Sequence, residues 1–223
     1  MGQNVGSRGA YDYITSYNSY GYNGYASIDC YVVHWWDSPA KAPTFEGTCN
    51  SLCNNPNGSA HYVVESGRVA CLIAPGLRAW HVSSNNYQKV MSGIYDINSH
   101  SVGIECNPRC TDGDIETLCQ LLADLWLDYG VKPIYGHLDF MATECPGTYY
   151  ASLGYIRKRT KEIYNSIIND VPDNNVVDIN EPSAWAADAW NKAHELGLLD
   201  GTRPHDNVTR EELAAVLVRF SEK

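Results

Sequence analysis

The sequence predicts an α/β domain packed around one sheet, followed by a small helical unit. Three observations predict it. β-Branched and aromatic runs of strand length are interleaved with stretches whose apolar residues recur at helical spacing. Two of the strand runs lie close enough to form a hairpin. A Pro-, Asn- and Asp-rich segment at 170–180 then sets off a short helical tail. The 223 residues suffice for one full domain and a smaller second one. The expected division is 1–169, a linker at 170–180, and 181–223.

The elements follow in order. Residues 1–29 are rich in Gly, Tyr, Asn and Ser and read as loop with one short strand. Cys30 to Trp36 is a β-branched and aromatic run, read as a buried strand. Ala60 to Gly67 is a second strand ending in a turn, and Arg68 to Ala74 follows closely enough to pair with it. His100 to Asn107 is another strand, and its Gly103 lets something approach the backbone closely. Thr111 or Asp112 caps a helix. Its Ile115, Leu118, Leu122, Leu125, Trp126 and Tyr129 share one face, and Gly130 ends it. Val131 to His137 is a short strand. Residues 149–169 form a second long helix with Leu153, Ile156, Ile163 and Ile167 on one side. In the tail, 183–197 reads as one amphipathic helix closed by Gly197. Thr209 and Glu212 have capping-box spacing for another, with Leu213, Val216, Leu217 and Phe220 as its stripe.

Composition excludes several function classes. Sixteen Lys and Arg against 26 Asp and Glu give a net charge of −10, so no basic footprint for nucleic acid exists. The one basic cluster, Arg157 to Lys161, falls in a helix and reads as a solvated face. No apolar run approaches the ~20 residues of a membrane helix. The first twenty residues lack the apolar core of a secretory signal. The chain is therefore expected to be made in the cytoplasm and to reach any outside target by another route. The eight cysteines are expected to be thiols, a metal ligand or a catalytic group rather than a disulfide framework. Cys49/Cys53 and Cys106/Cys110 are C-x3-C pairs, without the C-x2-C spacing of common structural zinc sites. They read as buried thiols or at most one disulfide.

Three residues stand out chemically. His34 sits at the end of an apolar strand. His137 ends another, and Cys145 follows eight residues later, before Pro146 and Gly147. Two imidazoles and a thiolate meet the three-ligand count of a catalytic zinc. A Gly- and Pro-containing turn can fold His137 and Cys145 back to one ion. On spacing alone, a buried polar histidine and a buried thiol account for these residues better than a metal site. Alternation sends Trp35 and Trp36, which adjoin the His34 strand, to opposite faces, so at most one of them lines a cleft.

The pieces YVVHWW, SAHYVVESG, LRAWH, HSVGIE and GHLDFMATECPG, in that order from Asp29 to about Ile168, resemble the zinc N-acetylmuramoyl-L-alanine amidases related to peptidoglycan recognition proteins and phage endolysins. The H-x-D…T-x-C-P-G and S-x-G-I-E motifs carry most of the likeness. The resemblance implies a central mixed sheet flanked by helices and one Zn2+ per chain held by His34, His137 and Cys145. It implies Glu105 as general base and peptidoglycan as substrate, cut between N-acetylmuramic acid and L-alanine. Asp139, the second position of H-x-D, would orient a ligand or the Cys145 loop. Thr143 stands where another branch has an oxyanion-stabilising Lys, and Ala60 stands where that branch has a catalytic Tyr. The Glu-based branch is therefore implied, with Thr143 offering only a neutral hydroxyl. His81 matches a family histidine expected at substrate. His61 is expected to pack and hydrogen-bond behind the site.

The tail, through WAADAW, GLLDGTRP and VTREELAAVLVRF, resembles a single surface-layer homology repeat. Such repeats imply binding to a cell-wall secondary polymer, or self-association. Release of a leaderless enzyme by a holin or by lysis fits an endolysin, and an exported autolysin is the other origin. Two other readings compete. One is a recognition module without catalysis, which the intact His34, His137, Cys145 and Glu105 set disfavours. The other is a cysteine peptidase built on Cys145, which Pro146 and Gly147 disfavour because no helix N-terminus meets the sulfur.

Overall fold

The computed structural model describes residues 10–17, 19, 27–41, 43–83, 96–169, 187–199, 214, 217 and 218. The chain divides into two compact units, Met1–Ile167 and Ile168–Lys223.

In the first unit the strands are β1 (Asp12–Ile14), β2 (Cys30–Trp35), β3 (Tyr62–Glu65), β4 (Arg68–Cys71), β5 (Ser101–Cys106) and β6 (Ile134–Gly136). They form one mixed sheet in the order β1-β4-β3-β5-β2-β6. The expected hairpin is the β3/β4 pair, the sheet's one antiparallel pairing. All other neighbours are parallel. The helices of this unit are α1 (Phe45–Asn54), α2 (Asp112–Tyr129) and α3 (Thr148–Asn169).

Strand alternation decides which side chains meet the helices. Tyr31 and Val33 of β2, Val102, Ile104 and Cys106 of β5, and Tyr62 and Val64 of β3 point to one face. There they are buried under Leu118, Leu121, Leu122 and Leu125 of α2 and Leu153, Ile156 and Ile163 of α3. The opposite face has two smaller apolar clusters. Trp36, Phe45, Cys49 and Val63 gather under α1, and Cys30 and Val32 pack with Val82, Ile97 and Phe140. Between them this face carries His34 and Glu105, which are direct register partners.

α2 begins at Thr111, whose hydroxyl accepts the Asp114 N–H at 3.2 Å while the Asp114 carboxylate accepts the Thr111 N–H at 2.9 Å. This is a full capping box. Gly130 stops the helix at φ +87. α1 is an element the sequence reading did not predict. Gly47 and two Asn give the segment low helix propensity. Tertiary burial of Phe45, Thr48 and Cys49, one face of a single turn, overrides it. The signal that was present is Thr44, which accepts the Gly47 N–H at 3.1 Å as N-cap.

The basic cluster is less solvated than expected. Arg157 donates two hydrogen bonds to the Ile134 carbonyl, and Arg159 pairs with Glu116 at 2.7 Å. All eight cysteines are free thiols. No described helix is long and apolar enough to cross a membrane.

In the second unit, α4 (Ala187–Glu195) ends at Gly197, φ +65. The expected linker and the second tail helix lie outside the described residues, apart from Ala214, Leu217 and Val218, which are helical.

Candidate functional site

His34 leaves the end of β2 on the face opposite α2 and α3, 2% exposed. Beyond β6, residues 137–139 form a single 3-10 turn that carries His137. The Asp139 carboxylate pins this turn, accepting the Gly136 N–H at 2.9 Å and the Tyr150 hydroxyl at 2.7 Å. It thus holds the backbone just before His137 and ties it to α3. The chain then turns back so that Cys145 faces His34. The Thr143 hydroxyl oxygen accepts the Cys145 N–H at 3.2 Å. Gly147, at φ +60, lies flat under the Trp35 ring, where a Cβ would stand 2.0 Å from Trp35 Cζ3.

The result is a compact donor set. His34 Nδ1 lies 3.1 Å from His137 Nδ1 and 3.6 Å from Cys145 Sγ. All three donor atoms fall within 4.8 Å of one another, so one metal ion can be held among them. Burial depresses the His137 imidazole to about 4 and His34 well below the ordinary histidine range, with the neighbouring imidazoles adding to the effect on His34. Both rings are therefore neutral, the form that ligates. The Cys145 thiol is pushed up, by burial first and then by nearby Glu105. Without a cation beside it, it keeps its proton.

Glu105 sits beside His34 on β5. Burial alone raises its carboxyl to about 8. Its Oε2 is buried and finds no hydrogen-bond partner among the described residues. Such an atom is costly to bury unless something outside the chain completes it.

Two recesses meet at Glu105. One, of about 310 Å3, is bordered by Asn55, Asn57, Ser59, Trp80, His81 and Ser83. The other, of about 380 Å3, is bordered by Trp35, Trp36, Asp37 and Thr48. Leu52 borders both. Trp35 and Trp36 thus line the same recess, contrary to the alternation argument. β2 ends at Trp35, so Trp36 is no longer bound to the pleat, although its N–H still reaches the Cys106 carbonyl at 3.2 Å. Trp80, not singled out from sequence, is 46% exposed with the Arg78 guanidinium 4.2 Å from its ring centroid.

His61 is fully buried behind the site. Its Nε2 donates to the Leu77 carbonyl at 2.8 Å and its Nδ1 accepts the Gly103 N–H at 2.9 Å. Both nitrogens are used, so this ring is a neutral strut. His81, expected at substrate, borders the first recess with both ring nitrogens engaged within the protein. Its Nδ1 meets His34 Nε2 at 3.0 Å and its Nε2 meets Ser101 Oγ at 3.0 Å. Neither nitrogen is left for a substrate. His100 is bound to Asp29 at 2.8 Å.

The sequence model of the family described as N-acetylmuramoyl-L-alanine amidase matches residues 24–148, more than half of the chain. The chain belongs to this family. The matched span includes His34, Glu105, His137, Thr143 and Cys145. Solved structures share the amidase fold at low identity. PlyL superposes with a TM-score of 0.52 at 17% identity, covering 66% of this chain and 96% of PlyL. The PlyG catalytic domain gives 0.54 at 16%, covering 69% of this chain and 95% of the domain. Staphylococcus aureus hydrolase AmiA, solved in complex with its ligand, gives 0.54 at 16%, covering 73% of this chain and 88% of AmiA. No curated protein matches the chain in sequence. Family membership makes this protein an enzyme of the N-acetylmuramoyl-L-alanine amidase class, which acts on peptidoglycan.

Proposed function

We propose that this amidase is a zinc enzyme that hydrolyses the amide between N-acetylmuramic acid and L-alanine, acting as a phage or prophage endolysin. The observation that carries the reading is the triad of donors 3.1 and 3.6 Å apart beside an unpartnered buried carboxylate. The donor set fits zinc. Tetrahedral bonds of about 2.0–2.1 Å to nitrogen and about 2.3 Å to sulfur imply N···N edges near 3.3 Å and N···S edges near 3.6 Å.

His34 and His137 would hold the ion through Nδ1, and Cys145 through Sγ. When bound, zinc supplies a Lewis acid that polarises the scissile carbonyl and acidifies a water. Glu105 takes the proton of the attacking water and returns it to the departing amine of L-alanine. Its raised carboxyl supports this role, because a carboxyl shifted toward neutrality can both accept and return a proton. Thr143, through the Cys145 N–H, shapes the loop that presents the sulfur, and Asp139 holds the turn that presents His137. Trp35, Trp36 and the recess on the other side of Glu105 would flank the glycan and the stem peptide. Segment 181–223 is proposed as a wall-targeting or self-association unit.

The test is digestion of purified Gram-positive walls with and without a chelator, with products read by mass spectrometry. Glycan freed of peptide, with peptides beginning at L-alanine and loss of both on chelation, supports the reading. Wall binding without release by a zinc-loaded chain would show a recognition module instead.

A further inference from the structure

We propose that Ser101 and His81 form a hydrogen-bonded relay that fixes His34 in the tautomer with its proton on Nε2, so that the Nδ1 lone pair is the one presented to the metal. The inference deepens the zinc reading above and rests on it for its consequence, but not for its observation.

The relay follows from proton counting. Ser101 has one hydroxyl proton, and its Oγ lies 2.6 Å from the Ile97 carbonyl oxygen. A carbonyl has no proton to give, so Ser101 donates there. The remaining lone pair of Ser101 faces His81 Nε2 at 3.0 Å, so that nitrogen carries N–H. Among the described residues the two His81 nitrogens meet only Ser101 and His34, and no carboxylate is there to hold a second proton on the ring. Its Nδ1 is therefore an acceptor, and it faces His34 Nε2 at 3.0 Å. His34 must donate, which leaves Nδ1 bare toward His137 and Cys145. Every proton in the chain is assigned from one backbone carbonyl outward.

The scaffold explains why this can be built. Ser101, Gly103 and Glu105 alternate onto the same face of β5. Gly103 has no side chain, and the His81 ring fills the vacant place, with Cγ only 2.5 Å from where a Cβ would be. Asn98 locks the backbone there. Its Oδ1 accepts the His81 and Val82 N–H groups at 3.0 and 2.9 Å, and its Nδ2 donates to the Val82 carbonyl at 2.8 Å. His81 and Ser101 are thus positioning residues that act through His34. A ligand histidine whose other nitrogen is so engaged is oriented and made more basic, and losing such a partner weakens metal binding about 10–100-fold.

The test uses the full chain, 15N-labelled at histidine and freed of metal by a chelator. Ring nitrogen shifts, assigned with single-histidine variants, are expected to show Nε2–H on both His34 and His81. Nδ1–H on His34 overturns the relay whatever zinc does. Zinc affinity is then read by competition with a chromophoric chelator. His81→Leu is expected to bind about 10–100-fold more weakly. His81→Gln, whose amide can accept from His34 and donate to Ser101, is expected to recover most of that loss. His81→Leu binding as tightly as the unaltered chain overturns the proposal. Should His81→Leu fail to fold, Ser101→Ala removes the acceptor alone. It is expected to mix the His81 tautomers, with Ser101→Thr restoring one, and unchanged tautomers in Ser101→Ala overturn the relay. A chain that keeps both Nε2–H tautomers but binds no zinc supports the relay and sinks the zinc reading.

Discussion

Gly103→Ala is the substitution for which the structure makes its sharpest demand. The added Cβ would lie 2.5, 2.7 and 2.8 Å from His81 Cγ, Cδ2 and Nδ1. Ordinary contact begins near 3.4 Å, so the imidazole must retreat by about 1 Å. The ring cannot give way without consequence, because its bonds to His34 and Ser101 are both 3.0 Å and would stretch past hydrogen-bond range. Overpacking costs about 1–3 kcal/mol, and each lost bond adds roughly 1 kcal/mol. A total of roughly 3–5 kcal/mol corresponds to a fall in melting temperature of roughly 6–20 °C for a chain of this size. The assay is thermal unfolding of the chelated protein by circular dichroism. Gly154→Ala is the control. No atom lies within 4 Å of the Cβ it would add, and it sits within α3, so a gain of about 0.5–1 kcal/mol is expected. Equal melting of Gly103→Ala and the unaltered chain would refute the packing of His81 on β5.

Other expectations follow from the same geometry. Glu105→Gln should retain one zinc per chain by elemental analysis while turnover on purified walls drops about 10²–10⁴-fold. Near-normal turnover of a metal-replete variant would remove Glu105 from the mechanism. His61 stays neutral down to about 4 when folded, whereas an exposed histidine protonates below about 6.5. Between these values the unfolded chain holds the extra proton, so this group's contribution falls as pH falls, by about 3 kcal/mol in all. His61→Gln, able to donate to Leu77 and accept from Gly103, should show a smaller loss of melting temperature from pH 6.5 to 4, and an equal loss would contradict the assignment. Gly147→Ala should lower both melting temperature and zinc affinity by forcing Trp35 off the Cys145 loop, since its Cβ would meet that ring at 2.0 Å. Light scattering of the chain with and without 171–223 tests self-association. A monomer in both forms would exclude self-association as the role of the tail.

Much of the fold was legible because its signals are local. β2, the β3/β4 hairpin, β5, α2 and α3 appear within a few residues of where periodicity, caps and turn residues place them. The exception, α1, has poor intrinsic propensity and exists because Phe45 and Cys49 find a buried cluster to join. The candidate metal donors were legible for a different reason. His34, His137 and Cys145 are chemically rare in such places, and the family pattern preserves their order. Neither spacing nor composition could separate them from a buried histidine and thiol.

What the sequence by itself determined was the alternation and the inventory. It made Ser101, Gly103 and Glu105 share one face of a strand, left a hole at Gly103, and supplied two histidines where strands end and a cysteine in the turn that follows. Only the tertiary structure decided what those residues do to one another. The pairing of β2 with β5 sets His34 beside Glu105, residues 71 positions apart in the chain. The loop bearing His81 comes down into the Gly103 hole and sets its ring against His34. Such outcomes depend on register and on which long-range partner fills a cavity. These are properties of the packed whole, and no local window of sequence contains them.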